Sequence, residues 1–515
     1  MTLLGGCLKS AEQKIAFRVD ASSLIGTGHV MRCLTLADEL KRRGASSCFV
    51  GRHMPQYLRE MLESRGHEIK QFAAVSAPSV AGELAHADWL GTSQEFDARE
   101  MLQALAGQSW DWLVVDHYAL DASWETMLRP RVGHILAIDD LADRQHDCDV
   151  LLDQNFYRDM NTRYVGKVPE HCRLLLGPDY AIVREEFRTL REQVAPRMGP
   201  VRRILVFFGG VDADNYTGLA IQALLEIGMP NVQVDVVIGA QHPCRESIEA
   251  ECRRHDGFVC HVQTDRMAEL MAAADLSIGA GGSAIWERCC LGLPTITVCT
   301  AHNQRDQISD AASDGLVYAP DIGDNMIYTI RHHVISLLEN AGVRRLISRR
   351  GMQAADGRGV LRVINTMGCN GVVIRPATAG DSRSIFEWRN HPDIRAVSRS
   401  TDEICWESHE NWFASVLDDP ERMLLIGEIN GQPLGVVRFD IHNSGADVSI
   451  YLVPRNKTQG RGRDLLRSAE QWFVRVRPEI QLLRAEVLGA NERSHGLFLA
   501  DGFWVESTAY FKRLH

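Results

Sequence analysis

No two cysteines of this chain are spaced as CxxC, although 13 cysteines occur among its 515 residues. An odd count without such pairs indicates neither a zinc ribbon nor a disulfide framework, so a reducing compartment is expected. No run reaches the roughly 18 apolar residues that a membrane helix needs. The opening MTLLGGC ends in Leu-Gly-Gly-Cys7, as a lipoprotein cleavage site does. It lacks the basic n-region and the apolar h-region of about 7–15 residues that export requires, and a cytoplasmic location is expected. Positive charge is in deficit: 56 Lys and Arg against 67 Asp and Glu leave a formal net charge of -11. That deficit argues against nucleic acid as a partner. No His/Asp cluster has ligand spacing, so no metal is expected.

What is present is an ordinary globular composition, 45% hydrophobic and 24% charged. A chain this long exceeds the roughly 250–300 residues of one core, so three compact units are expected. From Lys14 short apolar runs alternate with amphipathic stretches (IAFRVD, VMRCLTLADELKRRG, SSCFVG, YLREMLESRG). This βα rhythm implies a parallel sheet flanked by helices. Two further strands end on Asp116-His117-Tyr118 and on Asp139-Asp140. Polar residues at the carboxyl ends of such strands are site candidates. The Pro- and Gly-containing segment EQVAPRMGPVRR, from Glu192 to Arg203, suits a linker. A second α/β unit follows, with strands ILVFF, VQVDVVIG, DLSIGAGG and TITVC up to about Arg350. The glycines around Gly368 to Gly371 lead into a different rhythm, including LLIGEING and QPLGVVRFD joined by an Asn-Gly turn. The expected domains are thus 15–195, 200–350 and 371–515, the first two Rossmann-like with a substrate cleft between them and the third α+β.

Gly26-Thr27-Gly28-His29 joins the first strand to a helix. Glycines there let backbone N–H groups approach an anion, while the same spacing also makes a plain tight turn. Met31 stands where the dinucleotide fingerprint has its third glycine, which argues against an NAD site. A histidine in the first helical turn, facing the cleft, is a candidate general base as well as a structural or capping residue.

RVDASSLIGTGHVMRCLTLADEL, VVDHYALDASWE, IDDLADRQHDCDVLLDQN, LLGPDYAIVREEF and AGGSAIWERCCLGLP together resemble the UDP-2,4-diacetamido-2,4,6-trideoxy-β-L-altropyranose hydrolases of pseudaminic acid biosynthesis. These are relatives of the two-domain, GT-B, MurG-type glycosyltransferases. The resemblance spans about Ile15 to Arg350 and implies that His29 activates water to attack the anomeric carbon, expelling UDP with inversion. Asp20, Tyr118, Asp139 with Asp140, and Asn155 are candidates to orient water or bind the sugar. UDP is a good leaving group, so a paired general acid is not required. In the second half the backbone of Gly281, Gly282 and Ser283 is placed for a diphosphate. Glu287, one turn on, matches the glutamate that holds the ribose hydroxyls of UDP in the MurG-like relatives. Asn303-Gln304 resembles the family's ANQ segment, with His302 as a departure. Cys289-Cys290 reads as helix packing.

Toward the end, IYLVPRNKTQGRGRDLLRSAEQWF, IRPATAGDSRSIFEWRNHPDIR and AEVLGANERSHGLFLADGF resemble the GNAT N-acetyltransferases. Lys457, Gln459, Gly460, Arg461 and Gly462 match the family's coenzyme A diphosphate loop, with lysine at its first place, and Asn491 matches a cofactor contact. Acetyl-CoA is the implied co-substrate. Phe498 stands where the family commonly has its tyrosine acid, leaving Tyr510 or water for that role, and His391, His409, Glu410 and Glu428 are undivided candidates for a base. The two resemblances together imply a bifunctional nucleotide-sugar enzyme that acetylates a UDP-4-amino-sugar and hydrolyses the acetylated product, with small-molecule UDP-sugars as its partners. The alternatives are a MurG-like glycosyltransferase fused to a protein N-terminal acetyltransferase and a non-catalytic UDP-sugar-binding regulator whose His29 is structural.

Overall fold

The computed structural model describes residues 13–22, 24–73, 84–321, 325–369, 371–398, 400–429, 431–442, 445–454, 461–488 and 491–506. Cys7, Lys457, Gln459, Gly460 and Tyr510, singled out above, lie outside them.

The first apolar runs form β1 (Lys14–Val19), β2 (Ser46–Gly51) and β3 (Glu68–Gln71), followed by β4 (Trp110–Asp116), β5 (Val132–Ile138), β6 (Val150–Asp153) and β7 (Arg173–Leu176). They make one sheet in the order β3-β2-β1-β4-β5-β6-β7, parallel throughout. The chain winds outward from β1 to β3, then returns to place β4 on the other side of β1. The order therefore reverses between β1 and β4, where the crevice of an open α/β sheet takes its ligand.

The second sheet consists of β8 (Arg203–Phe207), β9 (Gln233–Ile238), β10 (Phe258–Val262), β11 (Leu276–Ala280) and β12 (Thr295–Val298). Its order is β10-β9-β8-β11-β12, again all parallel. Here the order reverses between β8 and β11, so the loop after β11 is the equivalent ligand position. The inner strands of both sheets are buried on two faces, which is why they read as continuous apolar runs rather than alternating ones.

The linker lies against the second sheet's helices: the Arg197 guanidinium donates to the carbonyls of Ala272 and Ala274 at 2.7 and 2.9 Å. After the helix Ala341–Ala354, a further helix, Gly359–Thr366, returns to the first half. Its Arg362 donates to the Asp179 carbonyl at 2.7 Å, and Trp112 Nε1 donates to the Met367 carbonyl at 3.0 Å. The two parallel sheets accordingly belong to one compact unit that ends at Met367, and a second unit begins at Gly368.

The second unit holds β13 (Val373–Pro376), β14 (Arg422–Ile429), β15 (Gln432–His442), β16 (Gly445–Leu452) and β17 (Leu482–Arg484) in sequential order. The first four pair antiparallel and β17 joins β16 in parallel. One face packs on the helix Gly462–Val476 through Phe439, stacked on Phe473 at 4.1 Å. The other packs on the helices Ser382–Arg389 and Trp406–Asp418. The fold is thus two Rossmann-like sheets followed by an α+β module, as the sequence implied. Among the described residues no helix is long and apolar enough to cross a membrane, and no group of His, Cys, Asp or Glu could hold a metal ion.

Candidate active site

Beyond β1 the chain turns back on itself. The Gly26 amide donates to the Ser22 carbonyl at 2.8 Å and the Ile25 amide to Ser22 Oγ at 3.1 Å. Gly26 has a φ of +80°, which a residue with a Cβ adopts only with strain. The helix then starts at Gly28 and runs to Arg42. His29 is its second residue, 8% exposed, at the mouth of the β1/β4 crevice.

β4 ends on Asp116, opposite Val19 of β1, and this register sets its carboxylate against His29. His29 Nδ1 lies 2.6 Å from Asp116 Oδ1. Since the carboxylate accepts, Nδ1 carries the proton and Nε2 remains the basic nitrogen. One helical turn on from His29, Arg32 grips the same carboxylate with a two-pronged fork, Nε to Oδ2 and Nη2 to Oδ1, both at 2.6 Å. Burial opposes a charge on Asp116, but Arg32 and His29 overcome it and hold the carboxyl well below the usual carboxylate range. Asp116 is therefore a fixed anion that orients the imidazole.

Arg32 Nη1 also donates to Asp140 Oδ2 at 3.3 Å. Tyr118 donates its hydroxyl to Asp140 Oδ1 and sets its ring edge-on to His29, with centroids 4.7 Å apart. Burial and the neighbouring Asp140 push the Tyr118 phenol well above its ordinary range, so it remains a donor. Trp89 packs at 5.5 Å from Tyr118 and 6.2 Å from His29, with His86 at 4.4 Å from Trp89. These rings form an aromatic wall beside the imidazole.

Asn155 ties this cluster to the second half. Its Nδ2 donates to Asp140 Oδ2 at 3.1 Å, and its Oδ1 accepts from Trp286 Nε1 at 3.0 Å. Trp286 belongs to the helix Ala284–Cys290 that follows β11. A continuous series of polar contacts thus runs His29–Asp116–Arg32–Asp140–Asn155–Trp286.

Two of the predicted carboxylates sit below this cluster. Asp20 is fully buried: it accepts from the amides of Arg52 and His53 at 2.7 and 3.1 Å, and pairs with Arg18 at 3.0 Å and His117 at 3.2 Å. Asp139 is fully buried as well, against Arg144 at 2.8 Å, the Ala142 amide at 2.9 Å and the Tyr164 hydroxyl at 3.1 Å. Their oxygens fix the loops after β2 and β5. The carboxylate beside Tyr118 after β5 is Asp140. Sequence reasoning placed Asp116 among the strand-end candidates without giving it a role and passed over Arg32, although two signals were available. Arg32 is three residues from His29 on one helix face, and Asp116 closes the strand that must adjoin β1 once the order reverses.

After β11 the backbone of Gly281 passes so near the helix Arg305–Ser313 that a Cβ would come within 2.1 Å of Ile308 Cδ1. Gly282 faces open space, with Gln304 Nε2 as the nearest atom to its would-be Cβ at 3.8 Å. Gln304 Oε1 accepts from the Thr300 amide and hydroxyl at 3.4 and 3.3 Å. Ser283 and Asn303 are exposed. Glu287 pairs with Arg184 Nε at 3.0 Å and its side chain is 17% exposed. Gly281, Gly282, Ser283 and Gln304 are thus brought together at the second reversal point, and Trp286 from the same helix reaches back to Asn155. Cys289 and Cys290 are buried packing groups whose thiols burial pushes up, to about 12 and about 11.

In the second unit Arg461 and Gly462 stand at the start of the helix Gly462–Val476. Asn491 caps the helix Glu492–Ala500, its Oδ1 accepting from the Ser494 amide at 3.2 Å. Phe498 packs against Phe503 at 5.0 Å in the core. The four candidate bases do not converge. His391 caps a short helix, His409 is buried with Nε2 on the Ser382 carbonyl at 2.9 Å, Glu428 pairs with Arg375 at 2.8 Å, and Glu410 is exposed.

Residues 203–313 match the family model for the glycosyltransferase family 28 C-terminal domain, and residues 383–503 that for the acetyltransferase (GNAT) family. An uncharacterized protein of Methanocaldococcus jannaschii is 21% identical over 95% of this chain and 96% of its own length. The UDP-2,4-diacetamido-2,4,6-trideoxy-beta-L-altropyranose hydrolase of Campylobacter jejuni is 23% identical over 59% of this chain and 97% of its own. The acetyltransferase PseH of the same organism is 25% identical over 24% of this chain and 75% of its own. The chain therefore fuses a unit that is similar to a nucleotide-sugar hydrolase and carries a match to the glycosyltransferase family 28 C-terminal domain to a unit similar to GNAT acetyltransferases.

Proposed function

We propose that the chain is a bifunctional nucleotide-sugar enzyme. Its first unit hydrolyses UDP-2,4-diacetamido-2,4,6-trideoxy-β-L-altropyranose to UDP and the free sugar, and its second acetylates the 4-amino group of the UDP-sugar precursor from acetyl-CoA. The observation that carries the first reading is the His29–Asp116 pair, 2.6 Å apart, at the strand-order reversal of the first sheet. With Nδ1 committed to Asp116, Nε2 accepts a proton from water as the water oxygen bonds to the anomeric carbon. The bond from that carbon to the diphosphate oxygen breaks, and UDP leaves from the opposite face with inversion. Arg32 keeps Asp116 ionised, so the imidazolium formed in the step has a counter-charge. Tyr118, Asp140 and Asn155 offer hydrogen bonds to water or sugar. Gly282 and Ser283 offer backbone N–H groups to the diphosphate and Glu287 a carboxylate to the ribose, at the second reversal point, whereas the Gly281 amide, expected to join them, is committed to the Val298 carbonyl at 3.1 Å. The likeness to the Campylobacter hydrolase over nearly all of that protein's length supports this reading.

The acetyl-transfer reading is supported by the GNAT match and by Arg461 and Gly462 at a helix start, whose positive end favours a coenzyme A diphosphate. Acetyl-CoA is its co-substrate. Two reactions joined in one chain raise the local concentration of the shared intermediate.

Purified full-length chain incubated with the diacetamido UDP-sugar should release free UDP, and His29→Ala should abolish the release. No release by the wild type, or undiminished release by His29→Ala, would sink the hydrolase reading. For the second unit, among the described residues a Cβ at Gly462 would meet only Leu497, at 3.8 Å, so Gly462→Ala probes the approach of the cofactor rather than packing against them. It should slow CoA-thiol release while leaving UDP release intact.

A further inference from the structure

Two thiols meet at the end of the first sheet that lies opposite the candidate active site. Cys148 stands two residues before β6, and Cys172 directly precedes β7. The two strands pair in parallel with Val150 opposite Arg173, and the Arg173 amide donates to the Asp149 carbonyl at 2.8 Å. Neighbouring strands stand about 4.8 Å apart, inside the roughly 4.4–6.8 Å between Cα atoms that a disulfide spans. The register thus sets the two side chains within reach of each other, and their Sγ atoms lie 3.6 Å apart. A disulfide needs about 2.05 Å, so closure asks the sulfurs to approach by roughly 1.5 Å.

The two thiols are not equivalent. Cys148 is fully buried in the apolar core of the first half, whereas Cys172 is half-buried at its margin. Burial disfavours a thiolate, so the proton between the sulfurs stays on Cys148, which donates to Cys172. That hydrogen bond draws the Cys172 thiol below its ordinary range against burial and the Asp149 carboxylate, and the His146 imidazolium adds to the pull. The same bond, together with burial, pushes the Cys148 thiol far up. Burial likewise pushes up the thiols of Cys33, Cys48, Cys289 and Cys290. A partly exposed thiolate backed by a protonated thiol within reach is the arrangement in which one sulfur is oxidised and the other resolves it.

We propose that Cys148 and Cys172 form a redox dithiol that hydroperoxides convert to a disulfide. In the first step the Cys172 thiolate attacks one peroxide oxygen. The O–O bond breaks, Cys172 becomes a sulfenic acid, and the other oxygen leaves as hydroxide or alkoxide. In the second step the Cys148 sulfur attacks the Cys172 sulfur. The S–O bond breaks, and the oxygen leaves as water with the proton of Cys148. The two sulfurs give up two electrons in all and the peroxide takes them; a small thiol reverses the change by exchange. In a reducing compartment the pair rests as the dithiol and closes when peroxide rises.

The closure acts on the segment between the cysteines, which are 24 residues apart. Asn155, which links Asp140 to Trp286, lies in that segment. So do Tyr157 and Arg163, which donate to the Asp140 carbonyl at 3.0 and 3.1 Å, and Tyr164, which donates to the Asp139 carbonyl at 2.9 Å. Tying the ends of the segment removes freedom from the unfolded chain and steadies the part of the fold that holds the Asp139-Asp140 loop.

Hydrogen peroxide added to the reduced full-length chain, followed by alkylation and peptide mass mapping, tests the dithiol. One disulfide should join the peptides of Cys148 and Cys172, and dithiothreitol should restore both thiols. The melting transition of the first unit should rise by about 5 °C on closure, as a loop of this length implies. Cys148→Ala removes the resolving thiol, and dimedone should then trap a sulfenic acid on Cys172. Cys172→Ser should leave Cys148 unoxidised and the melt indifferent to peroxide. The wild-type result decides alone if either variant fails to fold. Both thiols still free after peroxide treatment, or a melt no higher after closure, overturns the proposal. So does a disulfide formed instead between Cys252 and Cys260, whose thiols are also hydrogen-bonded.

Discussion

Replacing Asp116 by Asn tests the orientation of the proposed base with almost no change of shape. In the native site Oδ1 receives His29 Nδ1 and Arg32 Nη2, each at 2.6 Å, and Oδ2 receives Arg32 Nε at 2.6 Å. An amide has one accepting end. If its oxygen stays toward His29, its NH2 meets the Arg32 Nε–H, donor against donor. If it turns over, the NH2 faces Nδ1, and the imidazole must move its proton to Nε2, the nitrogen needed to take one from water. In either orientation Arg32 keeps one bond to the amide oxygen and the longer contact to Asp140, at 3.3 Å, and loses the other prong of its fork. A positioned general base contributes about 10²–10⁴ in rate, or about 3–5 kcal/mol at 1.36 kcal/mol per decade. Asp116→Asn should therefore lower the kcat for UDP release by about 10²–10⁴ with the KM within about threefold. The buried guanidinium, left with Asp140 as its carboxylate partner, should cost at most about 3–5 kcal/mol of stability, so a thermal melt must accompany the kinetics. CoA-thiol release by the second unit serves as a reference for enzyme concentration. His29→Ala combined with Asp116→Asn should be no slower than His29→Ala alone, because the two residues act as one device. A folded Asp116→Asn within threefold of wild-type kcat, or losses that multiply in the double variant, would refute the argument.

Trp286→Phe removes the donor to Asn155 Oδ1 and leaves a buried acceptor unpaired at a cost of about 1–3 kcal/mol; the melting temperature of the first unit should fall, with kcat for UDP release falling more than the affinity for UDP. Gly281→Ala drives a methyl within 2.1 Å of Ile308 Cδ1, an overpacking of about 1–3 kcal/mol, and should raise the Kd for UDP; Ile308→Val in the same chain should recover part of it. His146 provides a pH signature. Burial works against its charge, but Asp139 and Glu125 prevail and hold its pKa at about 9 against an ordinary 6.5. Because the folded value is the higher one, the stabilisation is fully present below pH 6.5 and is lost as the pH rises through 9. Its size is about 3 kcal/mol, so denaturant midpoints should decline between pH 6.5 and 9, and His146→Gln should flatten that slope.

The strands and the glycine-bearing loops after β1 and β11 were legible because buried parallel strands impose apolar runs and glycines mark the loops at their carboxyl ends; the strand order, and with it the two reversal points, comes from the structure. His29 was legible for the same reason: it directly follows such a loop. What sequence reading missed was which carboxylate does what. Asp20, Asp116, Asp139 and Asp140 all lie at strand ends, and a one-dimensional pattern does not distinguish an oxygen turned down onto backbone amides from one turned toward the crevice. The register Val19 to Asp116 makes that choice for Asp116, and the fork of Arg32 fixes it. The contact of Cys148 with Cys172 was illegible for a related reason. The two are 24 residues apart, and only the pairing of β6 with β7 brings their sulfurs together. The return of the helix Gly359–Thr366 has no local signature either, since its amphipathic pattern does not say which half it covers.

That returning helix bears on how the protein is made. Gly359 packs so closely on Ala181 that a Cβ would stand 2.2 Å from its carbonyl oxygen, and Met367 accepts from Trp112. The first Rossmann-like half is therefore discontinuous in the chain, and its last piece is synthesised after the whole second half. Emerging at about 5–20 residues per second, the early half must wait many seconds for its closing helix, with the surface around Trp112 and Pro178–Tyr180 meanwhile uncovered. The two halves are expected to reach their final stability together, and a fragment cut in the linker should leave an incomplete first half in need of chaperoning.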